Sequence, residues 1–314
     1  MDDLRKSWLL HLGVLALLLA LHFVLPAYHQ GNLARIMVLA TFAMGYNILF
    51  GYTGLLSLGH ALFFAAGMYG MGLSMVHLGV PAGVSVGFGL IAGLVVAATL
   101  GSLALRTEGV GFMIVTLMFA QAGYLTILYF GQLTRGDEGF VIHQAERVFL
   151  WLDLSDPSTR YFGAFSVFSV TFLTLFVVAR SSFGQVLVAI RENEERTVML
   201  GYNVRRYKLV ALLLSAGISA VAGAVYGVLF GYVGATFASV QYSIFPLLWV
   251  LLGGAGTVLG PFIGTLFMFY LIDLSSGFTS AYMLIAGVVL VVLTLFAPRG
   301  IVGTMRQRFW KWIP

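Results

Sequence analysis

The residues best equipped for specific chemistry lie in one polar stretch, Arg180 to Lys208, which reads RSSFGQVLVAIRENEERTVMLGYNVRRYK between two apolar runs. Arg191, Glu192, Asn193 and Glu194 follow one another at its centre. Gly184 precedes them, Gly201 follows, and Lys208 closes the stretch where the next run begins. Charged side chains of both signs at this spacing suit ion pairing, and a polar stretch between apolar runs must be read by something outside the bilayer. Glu192 and Arg196 are i,i+4 neighbours in the favourable order, Ser181 or Ser182 can cap a helix start, and Gly201 can end one in the left-handed conformation. The expectation is one short, exposed helix. There is no cysteine, no His-Glu-x-x-His metal pattern and no Gly-Lys dipeptide from which a phosphate-binding loop could be built.

The elements that must position this stretch are membrane helices. Of 314 residues, 60% are hydrophobic and 9% charged, and mean hydropathy is +0.97. A hydrocarbon core about 30 Å thick takes about 20 helical residues at about 1.5 Å each. The apolar runs are long and unbroken rather than short and alternating, so helices are expected and a barrel is not. Expected spans are Trp8 to Ala27, Leu33 to Phe50, Leu55 to Val76, Val80 to Leu105, Gly109 to Phe130, Tyr161 to Ala179, Leu209 to Tyr232, an interrupted stretch from Ile244 to Ile272, and Ala281 to Ala297. The first apolar run is too long for a typical signal peptide and lacks a good cleavage site, so it reads as a retained span. The fold expected is an all-α polytopic bundle forming one membrane domain over residues 1–314.

Charge orients it. The stretch 180–208 carries six basic residues against three glutamates, and the tail adds Arg299, Arg306, Arg308 and Lys311, whereas the loop from Gly131 to Arg160 has three arginines against five acids. The positive-inside rule places the first two in the cytoplasm and the third outside, and the net charge of +5 reads as an orientation signal, not as nucleic-acid binding. Lys208 and Arg299 then share a side. The spans from Leu209 and from Ala281 supply two crossings, so the stretch between them must return to the side it came from. Gly253-Gly254-Ala255-Gly256 and Pro261 interrupt it, which suggests a re-entrant or broken pair shielded by protein or lining a cavity. The segment GYTGLLSLGHALFFAAGMYG from Gly51 is interrupted comparably, with Leu58-Gly59 placed like Leu259-Gly260. Paired interrupted spans in two halves point to a transport path at a weakly pseudo-symmetric interface. Candidates to line it are Asn47, Ser57, His60, Gly254, Gly256 and Pro261; a lone buried histidine more often serves packing, and Asn47 and Ser57 could instead bond neighbouring helices, whereas the break that parity requires favours Gly254, Gly256 and Pro261.

The order of motifs resembles the Liv-type branched-chain amino acid permeases of ABC importers, the M-type subunit most closely. Tyr46 to Leu49, Gly51 to Gly54 and Leu56 to His60 carry that resemblance, with Leu105 to Thr116, Gly136 to Gly139, Ala189 to Glu194, Gly253 to Pro261 and Phe296 to Gly303. It implies that the loop 180–208 couples to an ATPase through Gly184, Arg191, Glu192, Asn193, Glu194, Gly201 and Lys208. It further implies two cytoplasmic ATPase subunits that hold ATP and magnesium, a second homologous permease subunit, an extracytoplasmic substrate-binding protein, and a place in a bacterial-type inner membrane. No cofactor is expected on this chain. One departure stands out: counting back from Gly201, Arg196 and Thr197 occupy positions where the broader importer signature has small residues. A permease for urea or short amides is the alternative within the family. An ion-coupled secondary transporter is the alternative outside it, disfavoured because nearly every ionisable residue falls at a span end or in a loop.

Overall fold

The computed structural model describes residues 2–149 and 151–308; Lys311 lies outside the described residues. The helices follow the apolar runs. α1 (Asp2–Val24) packs on the helix that ends at Arg180, with the Tyr161 hydroxyl donating to the Leu18 carbonyl oxygen at 2.6 Å, and α2 (Ala27–Asn47) continues through a π turn at Ile48–Tyr52. After a non-helical segment, 53–59, come α3 (His60–Leu78) and α4 (Ala82–Val96), which runs through a second π turn into the single turn α5 (Ser102–Ala104). α6 (Val110–Tyr129) leads through the short α7 (Gly131–Thr134) into a loop with strands β1 (Phe140–Val141), β2 (Val148–Phe149) and β3 (Leu152–Asp153). α8 (Pro157–Arg180) returns, its start capped by the Asp156 carboxylate, which accepts the Thr159 amide at 3.0 Å. The polar stretch forms α9 (Ser182–Glu192) and α10 (Glu194–Met199), followed by α11 (Val204–Phe230) and β4 (Tyr232–Val233), which pairs antiparallel with β1. α12 (Val240–Gly253), α13 (Gly260–Ser276), α14 (Tyr282–Phe296) and α15 (Gly300–Arg308) complete the chain. Among the described residues, seven helices are long and apolar enough to cross a membrane.

α2 is the central helix, with 89% of its most apolar window buried, against 17% for both α1 and α6. Such a gradient is expected where peripheral helices turn apolar faces to lipid. Small residues set the closest approaches. A Cβ added to Gly67 would lie 2.0 Å from the Ala220 carbonyl oxygen, and one on Gly223 would lie 1.9 Å from that of Phe64. Backbones of α3 and α11 therefore touch with only hydrogen between them, the type of contact that holds helices together where no hydrophobic difference from lipid can.

α11 leaves the end that carries Arg191 and Arg299, α12 returns to it, α13 leaves again and α14 comes back. The turn between α12 and α13 reaches that basic end, since Cβ atoms on Gly254 and Gly256 would each lie 2.8 Å from Gly303 N and Arg191 Nη1 respectively. At 14 residues, α12 is about 21 Å long and cannot span the core alone. A 3-10 turn at Ala235–Ala238 precedes it. At the opposite end the Tyr28 hydroxyl, on α2, donates to both Asp273 carboxylate oxygens of α13, at 2.9 and 2.8 Å.

Two expectations need correction. The third span does not begin at Leu55: residues 53–59 are non-helical and α3 starts at His60. The polar stretch is not one helix but two, because Asn193 adopts an extended conformation (φ −161°, ψ 104°) and caps the second. That break prevents Glu192 and Arg196 from facing each other. Nor is α9 wholly exposed, since Gly184, Val186, Leu187 and Ile190 are buried.

Valine at Gly223 is expected to force α3 and α11 apart at a cost of about 1–3 kcal/mol or more. Gly223→Val should lower the melting temperature of the detergent-solubilised chain markedly. Gly287→Val, on α14 with nothing within 4 Å of its Cβ position, should leave it near the parent value.

Candidate functional site

The two interrupted segments meet. Asn47, fully buried at the end of α2, donates through Nδ2 to the Thr257 carbonyl oxygen at 2.9 Å and accepts the Gly256 amide at Oδ1, also at 2.9 Å. One side-chain amide thus satisfies a donor and an acceptor of the α12–α13 turn from within the helix that leads into the first break. Thr257 secures the turn from inside: its Oγ1 donates to the Gly254 carbonyl oxygen at 2.8 Å and accepts the Gly260 amide at 3.1 Å. Gly254 and Gly256 have φ of +125° and +72°, a region that favours glycine, and Pro261 stands in the first turn of α13.

The first break is satisfied in the same manner. The Tyr46 hydroxyl donates to the Ser57 carbonyl oxygen at 3.0 Å, Thr116 Oγ1 of α6 accepts the Leu58 amide at 3.1 Å, and Ser57 Oγ accepts the Gly59 amide at 3.2 Å. Ser243 Oγ of α12 accepts the Ala61 amide at 2.9 Å, occupying one of the free donors at the start of α3. Non-helical backbone within the bundle is therefore paired to protein.

His60 is fully buried, with Nε2 2.7 Å from Ser215 Oγ, and Ser215 Oγ donates to the Gly45 carbonyl oxygen at 2.6 Å. The ring also lies edge-on to Tyr46 and Phe63. Ser57 and His60 thus lie at the first break, Gly254, Gly256 and Pro261 at the second, and Asn47 between them; all are buried except the half-buried Gly256.

The polar stretch plugs into this junction. Arg191 Nη1 donates to the Gly51 carbonyl oxygen in the π turn that ends α2, and its aliphatic stem packs on Gly54, where an added Cβ would lie 2.8 Å from Cγ. Arg191 Nη2 pairs with the exposed Glu192 carboxylate at 2.9 Å. Asn193 Oδ1 accepts the Arg196 amide at 2.9 Å, so it ends α9 and begins α10. Lys208, nearly buried, donates to both oxygens of Glu194 at 2.5 and 2.6 Å and ties α10 to the first turn of α11. Gly184 lets α9 fold back on α8, because a Cβ there would lie 2.1 Å from the Val178 carbonyl oxygen. Gly201 takes φ +88° just past α10. Thr197, at a position where the importer signature has a small residue, is buried, and its hydroxyl donates back to the Asn193 carbonyl oxygen at 2.9 Å. Arg196 on the same turn is exposed. A cavity of about 610 Å³ lies between α9–α10 and the first break, lined among others by Gly54, Leu56, Glu108, Asn193 and Lys208.

Sequence reasoning missed some participants. Thr116, Ser243 and Thr257 hold the breaks together, but a lone hydroxyl in an apolar run gives no sign of its partner. Arg35 was also passed over, because it read as a residue near the start of a span. α2 begins at Ala27, so Arg35 lies two turns inside it, with its guanidinium carbon 5.1 Å from the Phe230 ring centroid. The string Gly83-Val84-Ser85-Val86-Gly87 matches a Gly-x-Ser-x-Gly pattern, but it lies inside α4 with Ser85 Oγ donating to the Ala82 carbonyl oxygen at 2.8 Å, so no nucleophile elbow exists there.

A helical membrane bundle with paired interrupted segments is the architecture of transport permeases. The chain belongs to the family described as the branched-chain amino acid transport system permease component, whose model matches residues 30–297. It is 29% identical over 302 aligned residues to the high-affinity branched-chain amino acid transport system permease protein LivM of Escherichia coli K12, covering 87% of this chain and 69% of that protein. It is 27% identical to the LivM protein of Salmonella typhimurium LT2, covering 96% of this chain and 76% of that one. A probable branched-chain amino acid transport permease protein LivM of Methanocaldococcus jannaschii is 26% identical, with 73% and 78% covered. No solved structure matches the chain.

Removing the Asn47 amide leaves the Gly256 N–H and the Thr257 carbonyl without their partner, at about 1–3 kcal/mol for each buried group. Asn47→Ala should accelerate amide hydrogen exchange across residues 254–259 while leaving α6 unchanged. Unaltered exchange in that turn would show that Asn47 does not hold the two breaks together.

Proposed function

We propose that this chain is the membrane-embedded half of an ATP-driven importer for branched-chain amino acids, with ATP hydrolysis carried out by two cytoplasmic ATPase subunits that hold the nucleotide and magnesium. A second homologous permease chain completes the translocation path, and an extracytoplasmic binding protein delivers the substrate. The end that carries Arg191, Lys208 and Arg299 faces the cytoplasm, in a bacterial-type inner membrane. Family membership supports the substrate class and the assembly, and the charge pattern supports the sidedness.

One observation carries the mechanism. Arg191 of α9 donates to the Gly51 carbonyl oxygen at the first break, while Gly256 of the second break lies against the same guanidinium and is bonded to Asn47. α9 and α10 form the seat for the ATPase. A displacement of that pair on ATPase closure is delivered through Arg191 to both breaks at once, and the Lys208–Glu194 pair passes it to α11. The breaks are where the spanning backbone can change direction without unwinding a continuous helix, so they serve as hinges for switching access between the two faces. The fully buried His60, Ser57 and Asn47 correspond to a path closed between substrate transfers. The chain itself makes and breaks no covalent bond.

The test is a mild-detergent purification of the chain from its native membrane, followed by leucine uptake in vesicles. Two phosphate-loop ATPases and a homologous permease should accompany it, and uptake should require ATP. Arg191→Ala should retain the subunits yet lower uptake about 10- to 150-fold, as loss of a charged hydrogen bond of about 1.5–3 kcal/mol would. Glu194→Ala should abolish uptake while the protein stays in the membrane. Recovery of the chain alone, active without ATP, would overturn the proposal in favour of an ion-coupled carrier.

A further inference from the structure

A second cavity, of about 540 Å³, opens at the basic end on the other side of Arg191 from the cavity beside α10. Arg191, Arg299 and Arg306 line it, with Thr257 of the α12–α13 turn, Leu251 of α12 and Gln307 of α15. Neither Arg299 nor Arg306 hydrogen-bonds or ion-pairs through its side chain with another described residue, and Arg191 is the one member with a carboxylate partner, Glu192. The cavity thus holds three guanidinium groups against one carboxylate. Like charges gathered in a concavity repel one another and focus a positive potential, which an anion relieves. Behind the lining, the buried Tyr52 hydroxyl has no hydrogen-bond partner among the described residues and feels the charge of Arg306 and Arg191.

We propose that this cavity is a binding site for a phosphate-bearing anion. Guanidinium groups bind phosphate oxygens in forked, paired hydrogen bonds, and three from different elements can enclose one phosphate group. The surroundings suit the headgroup of an anionic lipid. The exposed apolar surface of α14, with Leu295 and Phe296, runs up to Pro298 and Arg299, and Leu251 on the cavity wall is 39% exposed. Acyl chains lie along that surface while the phosphate sits among the arginines, at the depth where basic side chains meet headgroups. The same chemistry would accept a soluble phosphate.

Occupancy has a structural consequence. Arg299 and Arg306 flank or belong to α15, Arg191 belongs to α9, and Thr257 to the turn that Asn47 holds. A bound phosphate therefore links the carboxy-terminal helix to the arginine that reaches both breaks. Binding does not depend on the transport assignment and is measured without it.

The full-length chain, purified with the subunits that accompany it, is placed in nanodiscs of phosphatidylcholine alone or with phosphatidylglycerol, then delipidated and analysed for retained lipid by native mass spectrometry. The parent protein should retain phosphatidylglycerol about tenfold over phosphatidylcholine, the scale of one lost charge-assisted pair. R299Q/R306Q should erase the preference, whereas Arg308→Gln, outside the cavity lining, should keep it. Arg306→Lys, which preserves charge without the fork, should retain an intermediate preference and guards against a double variant that fails to fold. In phosphatidylcholine nanodiscs, inorganic phosphate at millimolar concentration tests the soluble source. A rise in melting temperature that needs Arg299 and Arg306, without lipid preference, would keep the anion site and replace the headgroup with a free phosphate. Equal phosphatidylglycerol retention in parent and double variant, with no effect of phosphate, would overturn the proposal.

Discussion

Every backbone amide and carbonyl inside a bilayer must find a protein partner, and the architecture of this permease turns on how it meets that demand where its helices stop. A continuous helix satisfies itself. The two non-helical stretches, 53–59 and 254–259, cannot, and the bundle assigns them side chains: Tyr46, Ser57 and Thr116 for the first, Asn47 and Thr257 for the second. Asn47 matters most, because it reaches from the helix that precedes one break into the backbone of the other. Its two hydrogen bonds make the breaks neighbours.

Close helix packing makes this arrangement possible. With lipid as apolar as leucine, the bundle gains little from burying hydrophobic surface between helices and relies on contact and hydrogen bonding instead. The glycines of α3 and α11 bring backbones into contact, and Gly264 does the same for α13 against the Trp249 carbonyl of α12, where a Cβ would lie at 1.9 Å. Such packing leaves His60, Ser215 and Asn47 in register across three helices. It also confines adjustability to the breaks, since a packed pair of glycine faces has no slack.

The polar stretch between α8 and α11 connects this interior to the surface. Its division at Asn193 gives two rigid pieces with different attachments: α9 is pinned inward by Arg191 on the Gly51 carbonyl, α10 by Glu194 on Lys208. A single helix would move as one body and report to one place. Two joined helices are attached to the first break and to α11 separately.

Sequence by itself determined the membrane class, nearly all the spans and the position of the second break. These follow from hydropathy over about 20 residues, from glycine and proline, and from charge balance, all of which are local or additive quantities. It also singled out Asn47, Ser57, His60 and the run from Arg191 to Glu194. Only the tertiary structure decided that Asn47 binds the α12–α13 turn, that Arg191 enters the first break, and that Asn193 divides the polar stretch. Those facts depend on which backbone groups are left unpaired and which side chain from a distant helix reaches them, a matter of three-dimensional proximity over more than 200 residues in the case of Asn47 and Thr257. The start of α3 at His60 has the same origin: the composition of Leu55 to Gly59 suits a helix, but neighbouring hydroxyls satisfy its backbone in an irregular form.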